Sequence, residues 1–328
     1  MSRIAILCPG RGSYTRKTRN VLDANHPFVI RAETVRAGYN LPSLLELDTN
    51  SKWRNDLHLR PDNVSPLIWL HTMIDAQNAM EAHDAVAVAG NSMGWYTALA
   101  VAGALDFEDG FRLVQEMSIL QMEHADGGQV LYPIVDDDWR ADPTREAAVK
   151  AALEQPGTYE SIRLGGFVVL AGTEHGVRAI LDAIPEILVG MSTFPARLTQ
   201  HGPYHTELLN DVADKATAQL ARLDWRAPKT TLIDGTGRRY SPWSSDPATI
   251  RDYTLGDQIR TMFDFTSSVR VALREFAPDL LCLPGPGNTL GSICAQIAIA
   301  ERWRGLDSRA AFETVQESDT PILWSMRR

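Results

Sequence analysis

Cysteine is scarce in this chain: Cys8, Cys282 and Cys294 are the only three in 328 residues, odd in number, widely spaced and never paired as CxxC. That argues against a disulfide framework and fits a reducing compartment. Long apolar runs are lacking too, since no stretch approaches the roughly 20 residues that a membrane-crossing helix needs. The opening Met1-Ser-Arg-Ile-Ala-Ile-Leu-Cys-Pro-Gly10 has only a short apolar run, which reads as a buried first strand rather than the core of a signal peptide. The expectation is a cytoplasmic protein with no membrane partner. Positive charge is the minority sign, with 32 Lys and Arg against 41 Asp and Glu, a net charge of -9 and a pI near 5.4. A nucleic-acid partner is therefore disfavoured, because phosphate binding needs a basic surface. An acidic protein partner would have to be met by a local Arg/Lys patch.

What is present is 44% apolar residues, enough for a large core and for one big domain with a smaller one inserted. Residues 84–90 form a short apolar run of strand length, and Met93 to Leu105 is Ala-rich and helical in composition. Asp106 to His124 opens on an N-cap candidate and carries Leu113, Val114, Met117 and Leu120 on one face. The texture then changes. Val130 to Val135 and Phe167 to Ala171 read as strands and Glu174 to Ala183 as a helix, an alternation that suits a small α+β unit inserted at about residues 128–196. Beyond it the pattern predicts an amphipathic helix over Thr206 to Leu223, strands at Thr230 to Ile233 and Leu280 to Leu283, and a closing helix over Thr289 to Trp303.

Three short motifs carry chemistry. Gly90-Asn-Ser92-Met-Gly94 has the form Gly-x-Ser-x-Gly at a junction of strand and helix, where two glycines permit a strained turn that projects the serine hydroxyl. The Met93 amide then opens the helix and can donate to an oxyanion. Pro9-Gly-Arg11-Gly-Ser13 is a glycine-rich turn after the first strand, without the spacing or the lysine of a phosphate-binding loop. In Gly202-Pro-Tyr-His205-Thr206 a proline breaks the chain and leaves His205 at a helix entrance. His201 completes a HxxxH spacing, but Gly202 and Pro203 forbid the single helical face that zinc ligands at that spacing use, so no metal is expected. Taken one at a time, each motif also fits a passive turn serine, an ordinary connection or a surface histidine.

Together the blocks resemble the malonyl-CoA:acyl-carrier-protein transacylases and the acyltransferase domains of polyketide synthases, in the same order and over nearly the whole chain. Cys8-Pro-Gly-Arg-Gly-Ser13 is similar to that family's Phe-Pro-Gly-Gln-Gly-Ser, and Gly90-Asn-Ser-Met-Gly94 to its Gly-His-Ser-Leu-Gly. Gly202-Pro-Tyr-His-Thr206 resembles its Phe-His-Ser block, and Gly285-Pro-Gly-Asn-Thr-Leu290 its Gly-Pro-Gly-x-x-Leu turn. The resemblance implies an α/β fold: an α/β-hydrolase-like large domain with a parallel sheet (residues 1–127 and 197–328) carrying an inserted ferredoxin-like subdomain (128–196). It implies Ser92 as nucleophile and His205 as base, with the Gln258 carbonyl orienting the histidine and the Arg11 and Met93 amides forming the oxyanion hole. It also implies acyl-CoA and phosphopantetheine thioesters as substrates, an acyl carrier protein as partner and no bound cofactor. Asn91, Met117, Phe167 and His201 are the candidate substrate-binding positions.

Departures from the family pattern bear on the substrate. Met117 stands where the family carries the arginine that pairs with the malonyl carboxylate, Asn91 replaces a histidine, Trp95 replaces an acid, and Phe167 stands where Gln is common. An unpaired carboxylate would lose about 3 to 5 kcal/mol, a factor of roughly a hundred to a few thousand. The expectation is a neutral acyl group. Arg11, in the place of a Gln, can instead supply a relocated cation for malonyl, and two other readings remain at this point: a hydrolase that strips acyl groups from carrier proteins, and a docking subunit without catalysis.

Overall fold

Ile4–Cys8 and Ala87–Gly90 are buried at every position, without the alternation of a strand that faces water on one side. Such strands need helices on both faces. The computed structural model, which describes residues 1–327, sets them at the centre of a six-stranded sheet. Its order is Arg239–Tyr240, Leu232–Ile233, Asp84–Gly90, Arg3–Cys8, Leu280–Leu283 and Leu323–Ser325, parallel throughout except for the first pair. Cys8 lies opposite Gly90, so both central strands end level and their loops open at the same edge. Ligand sites of parallel sheets lie at that edge.

The longest helix, Pro61–Ala82, left no mark in the sequence patterns, because it is buried nearly all round and holds Pro66 in its interior. Pro66 has no N–H for the Asp62 carbonyl four residues before it. That carbonyl instead accepts from Arg36 Nη1 at 2.5 Å and Gln115 Nε2 at 3.1 Å. Arg36, 1% exposed, also donates to the Pro42 carbonyl, Gln115 Oε1 and Asn63 Oδ1. Burial lowers its pKa to about 10, which still leaves it charged at neutral pH.

A second sheet runs Phe263–Asp264, Thr158–Leu164, Phe167–Gly172, Gly128–Pro133 and Ala196–Arg197. Four of its strands, with helices Pro143–Leu153 and Glu174–Ala183, follow the β-α-β-β-α-β order of a ferredoxin-like unit. Alternation assigns its faces: Val130, Tyr132, Val168 and Leu170 form a core that includes Val177 and Ile180 of the helix Glu174–Ala183, while Leu131 and Val169 look the other way, over the first sheet's loops. Phe263–Asp264 comes from outside this unit and pairs in parallel with Ile162 and Arg163, tying the two layers together. The architecture is the α/β arrangement that the sequence implied.

Three helices are shorter than their patterns. Gly94–Val101 stops before Gly103, which turns to φ +78°. The run after His205 is a 3-10 turn, Glu207–Leu209, followed by the helix Asn210–Leu220. The closing helix spans Gly291–Ala300 and is ended by Arg302 at φ +48°. The strand expected over residues 230–233 pairs only at Leu232–Ile233.

Candidate active site

Space makes Gly90 and Gly94 obligatory. A Cβ on Gly90 would stand 2.1 Å from the Gly94 carbonyl oxygen, and one on Gly94 would stand 2.3 Å from that of Cys8. Strand and helix therefore meet at backbone contact, and Ser92 between them is driven to φ +55°, a left-handed conformation that costs a side-chain-bearing residue energy. Gly94 N donates to the Asn91 carbonyl at 2.8 Å and Trp95 N to the Ser92 carbonyl at 3.0 Å, which closes the turn. Among the described residues, the amides of Arg11 and Met93 donate to no protein acceptor.

His205 comes to this apex from 113 residues downstream, with its Nε2 at 2.7 Å from Ser92 Oγ. Its Nδ1 is 2.7 Å from the Gln258 carbonyl oxygen. A carbonyl only accepts, so Nδ1 carries the proton and Nε2 offers its lone pair to the serine hydroxyl. Burial brings the His205 pKa down to about 4, with the bond to Gln258 pulling it back upward. The ring is thus neutral at pH 7, the form that can take a proton. Its backbone is held as well, at φ +59° with N donating to the Ile259 carbonyl at 3.0 Å.

The Gln258 side chain adds a clamp that the sequence did not reveal. Its Nε2 donates to the Ser92 carbonyl at 3.2 Å, and its Oε1 accepts from the buried Tyr96 hydroxyl at 2.7 Å. One residue therefore holds both the histidine and the serine backbone. Tyr96 sits in the helix after the turn, but nothing in its sequence neighbourhood marks it.

His201 is tied elsewhere, with Nδ1 at 2.8 Å from Gln129 Oε1. Gln129 Nε2 donates to Ser161 Oγ at 2.7 Å, and Ser161 Oγ donates to the Tyr204 carbonyl at 2.7 Å. This chain of donors orients the Gln129 amide and puts the His201 proton on Nδ1. Burial lowers the His201 pKa well below the usual histidine range, helped by Arg11 and His205 nearby. Gln129 carried no signal of its own, whereas Tyr204 lay inside a motif.

Ser92 opens into a cleft of about 480 Å³ between the two sheets. Leu131, Ile162, Leu164, Phe167 and Val169 of the second sheet line one side, and Leu290 and Ile293 the other. Asn91, Arg11 and His201 also reach the lining; Met117 and Trp95 do not. Met117 is buried in the main core, and Trp95 lies behind the turn with its Nε1 donating to Thr254 Oγ1 at 2.9 Å. Arg11 is the only arginine or lysine among the described residues of the lining. Its guanidinium donates to the Tyr204 hydroxyl at 2.6 Å and to the Gln200 carbonyl at 2.5 Å.

Fold and site can be set beside those of known proteins. No protein-family model matches the chain. A curated malonyl CoA-acyl carrier protein transacylase of Salmonella typhimurium is 26% identical over 303 residues, 90% of this chain and 93% of that one. The acyl-carrier-protein S-malonyltransferase of Burkholderia pseudomallei superposes with a TM-score of 0.74 at 22% identity, covering 98% of this chain and 95% of that one. A malonyl-transacylase solved in complex with its type II polyketide synthase acyl-carrier protein gives 0.74 at 21% identity, covering 93% and 99%. The chain is a relative of the malonyl-CoA:acyl-carrier-protein transacylases in sequence and shares their fold.

Proposed function

We propose that this chain is an S-acyltransferase that moves a neutral acyl group between coenzyme A and acyl-carrier-protein thioesters through an acyl-Ser92 intermediate. The observation that carries the reading is the relay of Ser92, His205 and the Gln258 carbonyl at the edge of an apolar cleft. The Ser92 proton passes to His205 Nε2 as Oγ bonds to the thioester carbon. The oxyanion forms against the Arg11 and Met93 amides. The carbon–sulfur bond then breaks and the thiolate leaves with the proton from His205. In the second half a phosphopantetheine thiol gives its proton to Nε2, its sulfur attacks the ester carbon, and Ser92 Oγ leaves and is reprotonated. The Gln258 carbonyl holds the imidazole in the required tautomer throughout, and no acidic side chain takes part. The carrier protein enters this reading through the relatives, whose names specify one.

The preference for a neutral group rests on the lining. Where the family has its carboxylate-binding arginine there is an apolar side chain buried in the core, and Arg11 already spends both terminal nitrogens on Tyr204 and Gln200. A malonyl carboxylate would lie among Leu131, Ile162, Phe167 and Val169, with Arg11, already tied to Tyr204 and Gln200, the one arginine or lysine of the described lining. Incubation with acetyl-, longer acyl- and malonyl-CoA, read as the Ser92 adduct by intact mass, tests this. Neutral adducts should dominate and vanish in Ser92→Ala. A dominant malonyl adduct would overturn the neutral preference, and free acid released without a carrier thiol would make the enzyme a thioesterase.

A further inference from the structure

A second cavity, of about 320 Å³, lies against the active-site cleft, and the two share Arg11, Gly12, Leu198 and His201 in their walls. Its interior is apolar. Tyr14 and Val64 are buried, Leu59 and Leu198 are half-buried, and Trp53 is stacked on His58 with ring centroids 4.6 Å apart, a rigid wall. The segment from Leu198 to His201 forms one of its walls. That segment is tethered twice, by Arg11 to the Gln200 carbonyl and by Gln200 Nε2 to the Asn55 carbonyl at 3.2 Å.

Gly12, an exposed residue, stands in the walls of both cavities. Its φ is +97°, and no atom lies within 4 Å of where a Cβ would stand. Leu198 stands in both walls as well. Of the polar groups beside it, Arg11 is bonded to Tyr204 and Gln200 through its terminal nitrogens, with its buried Nε unpartnered among the described residues, and burial keeps His201 uncharged while Gln129 fixes its Nδ1. Arg16 is exposed and keeps its head in water.

From these shared walls we infer that the second cavity is the distal part of the acyl site. A chain esterified to Ser92 crosses the cleft, passes over Gly12 beside Leu198, and ends against Tyr14, Trp53, Leu59 and Val64. The substrate class is an unbranched, uncharged acyl group of medium length, longer than the cleft alone would hold. This rests on acylation of Ser92 as proposed above. Apolar burial of the chain end is the driving force, each methylene contributing about 0.8 kcal/mol.

The test fills the second cavity without touching the first. Leu59→Trp, and separately Val64→Phe, would be compared with the unaltered enzyme for Ser92 labelling by acetyl-, hexanoyl- and decanoyl-CoA. The unaltered enzyme should label with decanoyl-CoA at least as readily as with acetyl-CoA. Leu59→Trp should lower decanoyl labelling by about tenfold or more while leaving acetyl labelling within about twofold. Circular dichroism of each variant confirms folding, and Leu59, half-exposed, tolerates the larger ring better than buried Val64. Decanoyl labelling that does not fall when the cavity is filled, with acetyl labelling intact, would overturn the distal site and leave the transferase standing. Absence of labelling by every thioester would overturn both.

Discussion

Lowering the pH tests the buried base directly. An ordinary histidine titrates near 6.5, whereas His205 is 4% exposed and its pKa is brought down to about 4. At pH 5.5 a base with the ordinary value would be about 9% neutral and one at 4 about 97% neutral, a roughly tenfold difference in active enzyme. The initial rate of Ser92 acylation at low acetyl-CoA, proportional to kcat/KM, reports the free enzyme. It should stay flat from neutral pH down to about 5 and halve near 4. Stability moves in the same window. Between pH 6.5 and 4 the unfolded chain binds a proton at this imidazole that the folded chain does not, so stability falls as the pH drops. The full loss is about 3 kcal/mol, present in full as stability above 6.5 and gone below 4. Circular dichroism at each pH separates the two effects. A rate that halves near 6.5 while the protein is still folded would refute the placement of His205 as a desolvated base.

Other substitutions follow from the same geometry. Gly94→Ala puts a methyl 2.3 Å from the Cys8 carbonyl oxygen and 2.8 Å from that of Pro9, and neither can retreat, so thermal unfolding should show a loss of about 3 kcal/mol together with loss of Ser92 labelling. Tyr96→Phe leaves Gln258 Oε1 without its donor but keeps the carbonyl on His205; urea unfolding should show a cost of about 1 kcal/mol, with labelling retained. Arg36→Met strands the Pro42 carbonyl, Asn63 Oδ1 and Gln115 Oε1 inside the protein and leaves the Asp62 carbonyl only Gln115, and should cost about 3 kcal/mol by the same measurement. Cys8, Cys282 and Cys294 are all buried, and burial pushes the Cys282 thiol up to about 12; iodoacetamide should modify none of them in the folded protein and all three in urea, by mass.

Much of the site was readable locally because its chemistry is enforced by short-range sterics. Gly-x-Ser-x-Gly at the end of a buried run describes a strand-to-helix contact in which only hydrogens fit, and Pro203 before His205 describes a chain that turns before the helix begins. Residues that act through long-range contacts left no such trace. Gln129 and the Gln258 side chain are ordinary glutamines until the fold brings His201 and Ser92 to them. The helix Pro61–Ala82 tolerates Pro66 because Arg36 and Gln115 take over the carbonyl that proline leaves without a donor. Met117 matched a pocket position by its place in a motif, yet an apolar side chain on a helix goes to the core.

The sequence alone determined where the central strands lie, the tight turn at Ser92 and the amphipathic faces, since each depends on residues a few positions apart and on whether a Cβ or an N–H is present. Tertiary structure alone decided which imidazole meets the serine, in which tautomer and at what pKa. Those are properties of atoms drawn from separate parts of the chain and of the water excluded between them. The second cavity is of the same kind: its walls exist only once residues 11–16, 53–64 and 198–201 stand together.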